Sequence, residues 1–218
     1  IKESLNMDYL FAQFSKIEEL LSNKFILLLL DYDGTITPIV ETPKKAVVFK
    51  DTKELLQNLS KSSYCKIGII SGRALEDIKN IVGIEGIVYV GNHGLEIEGP
   101  KIRFESQVSP RSKSIIRNIA QELQSRLSGI RGVLVEDKGL ALSIHYRLVE
   151  RKDIPVFEKV LAEVTNPYIV HGKIKIDSGK RIYEIKPPLE WDKGKVVLWL
   201  LARQIFGTKK ASVLPIYI

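Results

Sequence analysis

Two acids stand two residues apart in Asp31-Tyr-Asp-Gly-Thr35, directly behind a continuous apolar run at residues 25–30. In extended backbone that spacing sends Asp31 and Asp33 the same way, and Gly34 lets the chain turn off without a side chain in front of them. Carboxylates held together repel unless a cation or a shared proton intervenes. Mg²⁺ suits the pair, because it takes oxygen ligands and bridges to phosphate. The same residues also make an ordinary turn, in which Asp and Gly are favoured for conformation alone. Their place behind a buried strand, where open α/β sheets bind ligands, favours chemistry.

Ile70-Ser-Gly-Arg73 closes a second apolar run and precedes a helical pattern at 74–82. Ser71 can cap that helix, and exposed amides at a helix start bind phosphate. Its hydroxyl adds a donor for a phosphoryl oxygen, with capping alone as the plainer alternative. Gly72 and Arg73 join it as candidates for contact with substrate. Lys193, in Trp191-Asp-Lys-Gly-Lys195, opens a later helix and can neutralise both a phosphoryl group and Asp31. Lys195, two positions along, points elsewhere. A solvent-facing lysine is the competing reading of Lys193. The three histidines are not spaced as a zinc site, and one cysteine, Cys65, supports neither a cluster nor a disulfide framework.

These residues need a sheet that delivers them to one edge. The run at 25–30 does not alternate, as expected for a strand covered on both faces. Strands at 65–70 and 87–90 alternate with helices at 52–61 and 74–82, preceded by an amphipathic helix over 4–22. The pattern predicts an α/β fold with a Rossmann-like parallel-sheet core. The rhythm then changes. A hairpin around Gly99-Pro100, a helix at 112–127, strands at 132–136 and 140–146, a helix at 156–164 and strands at 168–170, 174–177 and 181–185 suggest an inserted antiparallel α+β module. A helix at 193–206 and a strand at 212–218 return to the parallel pattern. The core is therefore assigned to 1–104 and 186–218, and the module to 105–185. The chain starts at Ile1 and stops at Ile218 inside an apolar stretch, so a longer parent protein is expected.

Apolar residues make up 44% and charged residues 27% of the 218, which is ordinary for a globular protein. No apolar run is long enough to span a bilayer as a helix, and no signal-peptide pattern opens the chain. The net charge is +7, and residues 105–183 carry 14 of the 33 Lys and Arg against nine of the 26 acids. That excess can attract an anionic small molecule, or be a solvated surface with no partner. Nucleic acid is disfavoured, because the cations are dispersed and lack interleaved aromatics.

In order along the chain, Asp31-x-Asp-Gly-Thr35, Ser71-Gly-Arg, a module and Lys193-Gly resemble the haloacid-dehalogenase superfamily. Gly91-Asn-His-Gly94, Val135-Glu-Asp-Lys138, Ser143-Ile-His-Tyr-Arg147, Glu184-Ile-Lys-Pro-Pro188 and Trp191-Asp-Lys-Gly-Lys195 narrow the likeness to the trehalose-6-phosphate phosphatases. The resemblance implies that Asp31 attacks phosphorus to give an aspartyl-phosphate, that Asp33 is the acid and base, and that Mg²⁺ is held by the Asp31 carboxylate and the Asp33 backbone carbonyl. It implies an acidic Gly-Asp-Asp cluster, completing the metal site, after Ile218. The module corresponds to the family's cap domain, which reads the sugar. Glu136, His145, Arg147, Arg181, Glu184 and Lys186 are its candidates, with Asn92 and His93 on the core side. Each has a plainer alternative, as a solvent-facing strand residue or a structural histidine. Trehalose 6-phosphate is then the substrate, a trehalose-phosphate synthase a partner, and the cytoplasm the location, with no nucleic acid or membrane partner. Another capped sugar phosphatase and a non-catalytic phosphatase-like domain of a synthase share many of these marks.

Overall fold

The computed structural model describes residues 14–22, 24–189, 191–202 and 212–218. After α1 (Phe14–Leu21), strand β1 (Phe25–Asp31) lies between β10 (Val213–Tyr217) and β2 (Cys65–Ile70), parallel to both, and β3 (Val88–Gly91) continues the parallel set. The hairpin β4 (Glu96–Gly99) and β5 (Ile102–Glu105) extends the sheet antiparallel, giving the order β10-β1-β2-β3-β4-β5. The absence of alternation in β1 has a direct cause. Leu30, with Ile67, Ile69 and Tyr89, packs under α2 (Lys50–Ser60) and α3 (Leu75–Val82), while Leu27 and Leu29 are fully buried on the opposite face against Val196 and Leu200 of α6 (Lys193–Ala202). Each such leucine contributes about 2 kcal/mol. The fold class is the α/β arrangement read from the sequence.

A second sheet, antiparallel in the order β6-β7-β9-β8, is built from β6 (Leu134–Asp137), β7 (Leu142–His145), β8 (Lys175–Gly179) and β9 (Ile182–Lys186). The helices α4 (Pro110–Leu127) and α5 (Ile154–Val170) pack on it through a separate core around Ile119, Leu123, Phe157 and Ile185. Register sets one row across this sheet: Glu136 opposite Ser143, Ser143 opposite Glu184, and Glu184 opposite Asp177. Side chains of directly opposed residues share a face.

Two expectations are corrected. Residues 168–170 are not a strand but the last turn of α5, which runs through Pro167. Val164 and Tyr168 lie four apart, so they share the buried face of that helix, and packing there outweighs the hydrogen bond that a proline removes. Nor is Ser71 the cap of α3: that helix begins at Leu75 with Ala74 as its N-cap, and Ser71 Oγ instead accepts from the Arg73 backbone N–H at 3.1 Å. The expected helices over 4–22 and 193–206 are seen as Phe14–Leu21 and Lys193–Ala202; residues 4–13 and 203–206 lie outside the described residues. Among the described residues no helix is long and apolar enough to cross a membrane.

Candidate active site

Asp31 is the last residue of β1, level with Ile70 at the end of β2, and Gly34 turns the chain away with φ of +89°. Lys193 approaches from the first turn of α6, and its Nζ donates to Asp31 Oδ1 at 2.6 Å. A cation at a helix N-terminus opposes the helix dipole, so α6 gains nothing from Lys193 there. The gain lies in the pair itself. Burial works against the Lys193 ammonium, but the Asp31 hydrogen bond and charge, with a further contribution from Tyr217, outweigh it and raise its pKa. Asp192 supports the turn by accepting the Lys195 backbone N–H at 2.8 Å.

Asp33 faces the same cavity, but both of its carboxylate oxygens are held by Arg73, at 3.0 and 2.7 Å. Ser71 lies beneath the cavity wall, 1% exposed. Gly72 closes the floor: a Cβ there would come within 2.5 Å of the His93 ring. His93 and Asn92 both adopt left-handed backbone, with φ of 56° and 48°, a conformation that costs non-glycine residues about 1–2 kcal/mol. Backbone bonds from Asn92 N to the Arg73 carbonyl, 2.7 Å, and from His93 N to the Ser71 carbonyl, 3.1 Å, hold them there.

A cavity of about 260 Å³ lies between these strand ends and the second sheet. From that sheet, His145 Nε2 meets Glu136 Oε2 at 2.9 Å, and His93 Nε2 meets Glu184 Oε1 at 2.7 Å across the gap. Burial alone would raise both carboxyl pKa values. For Glu184 the His93 bond, with Lys138 and Lys186, reverses this and brings it down to about 2. For Glu136 the His145 bond and the Lys138 charge hold it below the usual carboxylate range. Arg147 Nη1 donates to the Val40 carbonyl at 2.6 Å and its Nη2 to the Lys180 carbonyl at 3.2 Å, so it ties the loop after Asp31 to the second sheet. Arg181, with φ of 66°, places its guanidinium 5.6 Å from the Tyr146 ring centre at the cavity edge.

Besides Ser71, two expected residues stand outside the cavity. Asn92 is fully buried behind the wall, where its Nδ2 donates to Glu96 Oε2 at 2.5 Å and to the Lys138 carbonyl at 3.3 Å. Lys186 faces a second cleft and pairs with Asp177 at 2.7 Å and Glu184 at 3.4 Å. Conversely, Lys138 was not among the predicted site residues, although it ends the string Val135-Glu-Asp-Lys. Its ammonium is 6% exposed, donates to the Gly72 carbonyl at 2.7 Å and lies 3.9 Å from Glu184. Burial, only partly offset by Glu136 and Glu184, pushes its pKa down. Its position two residues beyond Glu136, just past the end of β6, was the available signal. Ser143 was missed as well. It sits between Glu136 and Glu184 in the cross-strand row, buried, with no partner for its hydroxyl among the described residues.

Asp31 and Asp33 supply oxygen ligands suited to a hard divalent cation, but no cluster of three acidic, histidine or cysteine side chains occurs among the described residues. The arrangement can therefore present a carboxylate nucleophile to a phosphorus atom, a cation beside it and a polar wall to a hydroxylated leaving group.

The chain is similar to several known proteins. Probable trehalose-phosphate phosphatase D of Arabidopsis thaliana is 32% identical over 216 residues, 95% of this chain and 57% of its own length. The trehalose-phosphate phosphatase of Mycobacterium bovis is 33% identical over 189 residues, 86% of this chain and 46% of that one. The chain thus spans about half the length of these relatives. The C-terminal domain of C. albicans trehalose-6-phosphate phosphatase superposes with a TM-score of 0.74 at 25% identity, covering 90% of this chain and 72% of that one. The trehalose-phosphatase family model matches residues 29–218, and the chain belongs to that family.

Proposed function

We propose that the protein containing this chain hydrolyses trehalose 6-phosphate to trehalose and phosphate through a covalent aspartyl-phosphate. The single observation that carries the reading is Lys193 Nζ at 2.6 Å from Asp31 Oδ1, at the strand ends and beneath a polar cavity. Asp31 attacks phosphorus while the bond to the sugar oxygen breaks and Asp33 gives that oxygen a proton. Water then attacks phosphorus, the bond to Asp31 breaks, and Asp33 takes the water's proton. Splitting one displacement into two lowers each barrier, and Lys193 stabilises charge on the phosphoryl oxygens, with the Ser71 hydroxyl able to join it only if substrate binding opens the wall above it.

A phosphatase of this superfamily implies a metal cofactor. We take Mg²⁺ as the ion, with the Asp31 carboxylate and the Asp33 backbone carbonyl among its ligands, where it would neutralise phosphoryl charge. The second sheet and its helices act as the cap, with Glu136, Lys138, His145, Arg147, Arg181 and Glu184 facing the sugar, and Lys186 bracing Glu184 from behind.

The test is phosphate release by the full-length protein with Mg²⁺ on a panel of sugar phosphates. Preference for trehalose 6-phosphate is the expected result. Equal rates across the panel, or preference for sucrose phosphate, defeats the substrate assignment. Inactivity on every member defeats the enzymatic reading.

A further inference from the structure

The buried Arg73 side chain spends its donors on a few fixed acceptors. Nε donates to Asp33 Oδ2 at 3.0 Å, and Nη2 to Asp33 Oδ1 at 2.7 Å and to the Pro43 carbonyl at 2.9 Å. Nη1 donates to Asp77 Oδ2 at 3.3 Å. The guanidinium lies 5.2 Å from the ring centre of Tyr32, which is itself buried and anchored by its hydroxyl to the Ala46 carbonyl at 2.7 Å. The Arg73 backbone is fixed at both ends, through Ser71 Oγ and the Asn92 N–H. A planar fork with two parallel bonds sets the plane of a carboxylate as well as its position. A side chain so committed has little left to offer a phosphoryl group.

We propose that Arg73 is a positioning residue for the second half of the reaction. It holds the Asp33 carboxylate in the orientation that takes the proton from the attacking water. Through the nitrogen shared with the Pro43 carbonyl, it keeps the cavity wall at 38–43 aligned with that carboxylate. The inference rests on the reading of Asp33 as the acid and base. In this step the water oxygen bonds to phosphorus, the phosphorus–oxygen bond to Asp31 breaks with its electron pair returning to Asp31, and the water's proton moves to Asp33. The fork fits a carboxylate, the form needed here, so this step depends on Arg73 more than the first.

4-Nitrophenyl phosphate separates the halves, because its leaving group needs little protonation. With full-length protein and Mg²⁺, Arg73→Lys should keep a rapid burst of about one nitrophenolate per site, which also reports an intact site. Its steady-state kcat should fall about 10–100-fold with KM within about twofold, the scale of a misplaced catalytic group. In an Asp33→Asn background the same substitution should cost nothing further. Unchanged kcat in Arg73→Lys, a burst slowed as much as turnover, or losses that multiply in the double variant each overturn the inference while leaving the role of Asp33 standing. Full turnover by Asp33→Asn alone overturns that underlying role, and this inference with it.

Discussion

Asp31 and Lys193 are 162 positions apart and meet at 2.6 Å because a parallel sheet and the helix behind it bring their ends together. Across the cavity, Glu136, Ser143 and Glu184 are direct neighbours in a row on three antiparallel strands, and the two carboxylates meet His145, Lys138 and His93. The core site is thus a meeting of chain ends around two short ion pairs, Lys193 with Asp31 and Arg73 with Asp33. The second-sheet site is a shared surface with several contacts around two carboxylates. Chemistry that needs one atom in one place suits the first, and recognition of several hydroxyls suits the second. The difference predicts all-or-none losses on one side and graded losses on the other. Asp31→Asn should lower kcat at least about 10⁴-fold, the scale seen when a nucleophile is removed, whereas Glu136→Gln should act mainly through KM. Equal losses of kcat in steady-state assays of the two variants would erase the distinction.

Glu184 joins the two regions, because its carboxylate belongs to the second sheet and its imidazole partner to the end of the first. His93, Lys138 and Lys186 all face it, and its pKa in the folded protein is about 2. A depressed carboxyl pKa contributes stability that is fully present above the unfolded value, near 4.5, and is lost as pH falls toward 2. The full contribution is about 3 kcal/mol, of which about 2 kcal/mol should be gone by pH 3. Urea unfolding of the protein and of Glu184→Gln between pH 6 and pH 3 measures it: the variant should lose this part of the slope. Identical slopes would place the clasp outside the folded ensemble.

Why the core was legible and much of the cap was not follows from the same contrast. Asp31, Gly34 and Ser71 are punctuation after apolar runs, so local sequence marks both strand and site. The row containing Ser143 exists only through strand register, which apolar spacing alone did not supply. Asn and His enter left-handed backbone more readily than most side chains, but at 92 and 93 partners at Arg73 and Ser71, remote from apolar spacing, hold that conformation. The misread end of α5 has the same origin, because burial of Val164 and Tyr168 sustained a helix where a strand at 168–170 was expected. Distant packing decided each of these.

Glycines sharpen the comparison at a smaller scale. Gly94, with φ of +106°, sits where a Cβ would approach Val196 Cγ2 at 2.3 Å and Trp191 Nε1 at 2.8 Å. Gly139 in the cap turn, with φ of +78°, has nothing within 4 Å. Gly94→Ala should therefore cost about 2–3 kcal/mol from overpacking and strain together. Gly139→Ala should cost about 1 kcal/mol from backbone alone. At about 2–4 °C per kcal/mol for a chain of this size, thermal unfolding separates the two. Equal Tm values would mean that the Trp191 side yields as freely as the open turn.

The smallest effect is expected where the cap holds the core without any opposing charge. Arg147 reaches one backbone carbonyl on each side, Val40 and Lys180, and lines the cavity between them. Neutral acceptors make such bonds worth about 1 kcal/mol net, so Arg147→Ala should raise KM about fivefold and leave kcat within about twofold. Backbone carbonyls do not titrate, so the KM ratio between protein and variant should stay constant from pH 5 to pH 7. A ratio that changes with pH would mean that Arg147 works through a group that titrates between pH 5 and pH 7, and not through the two backbone carbonyls alone. A fall in kcat with unchanged KM would instead assign the loop at 38–43 to the chemical step, moving the boundary between the two regions across the cavity.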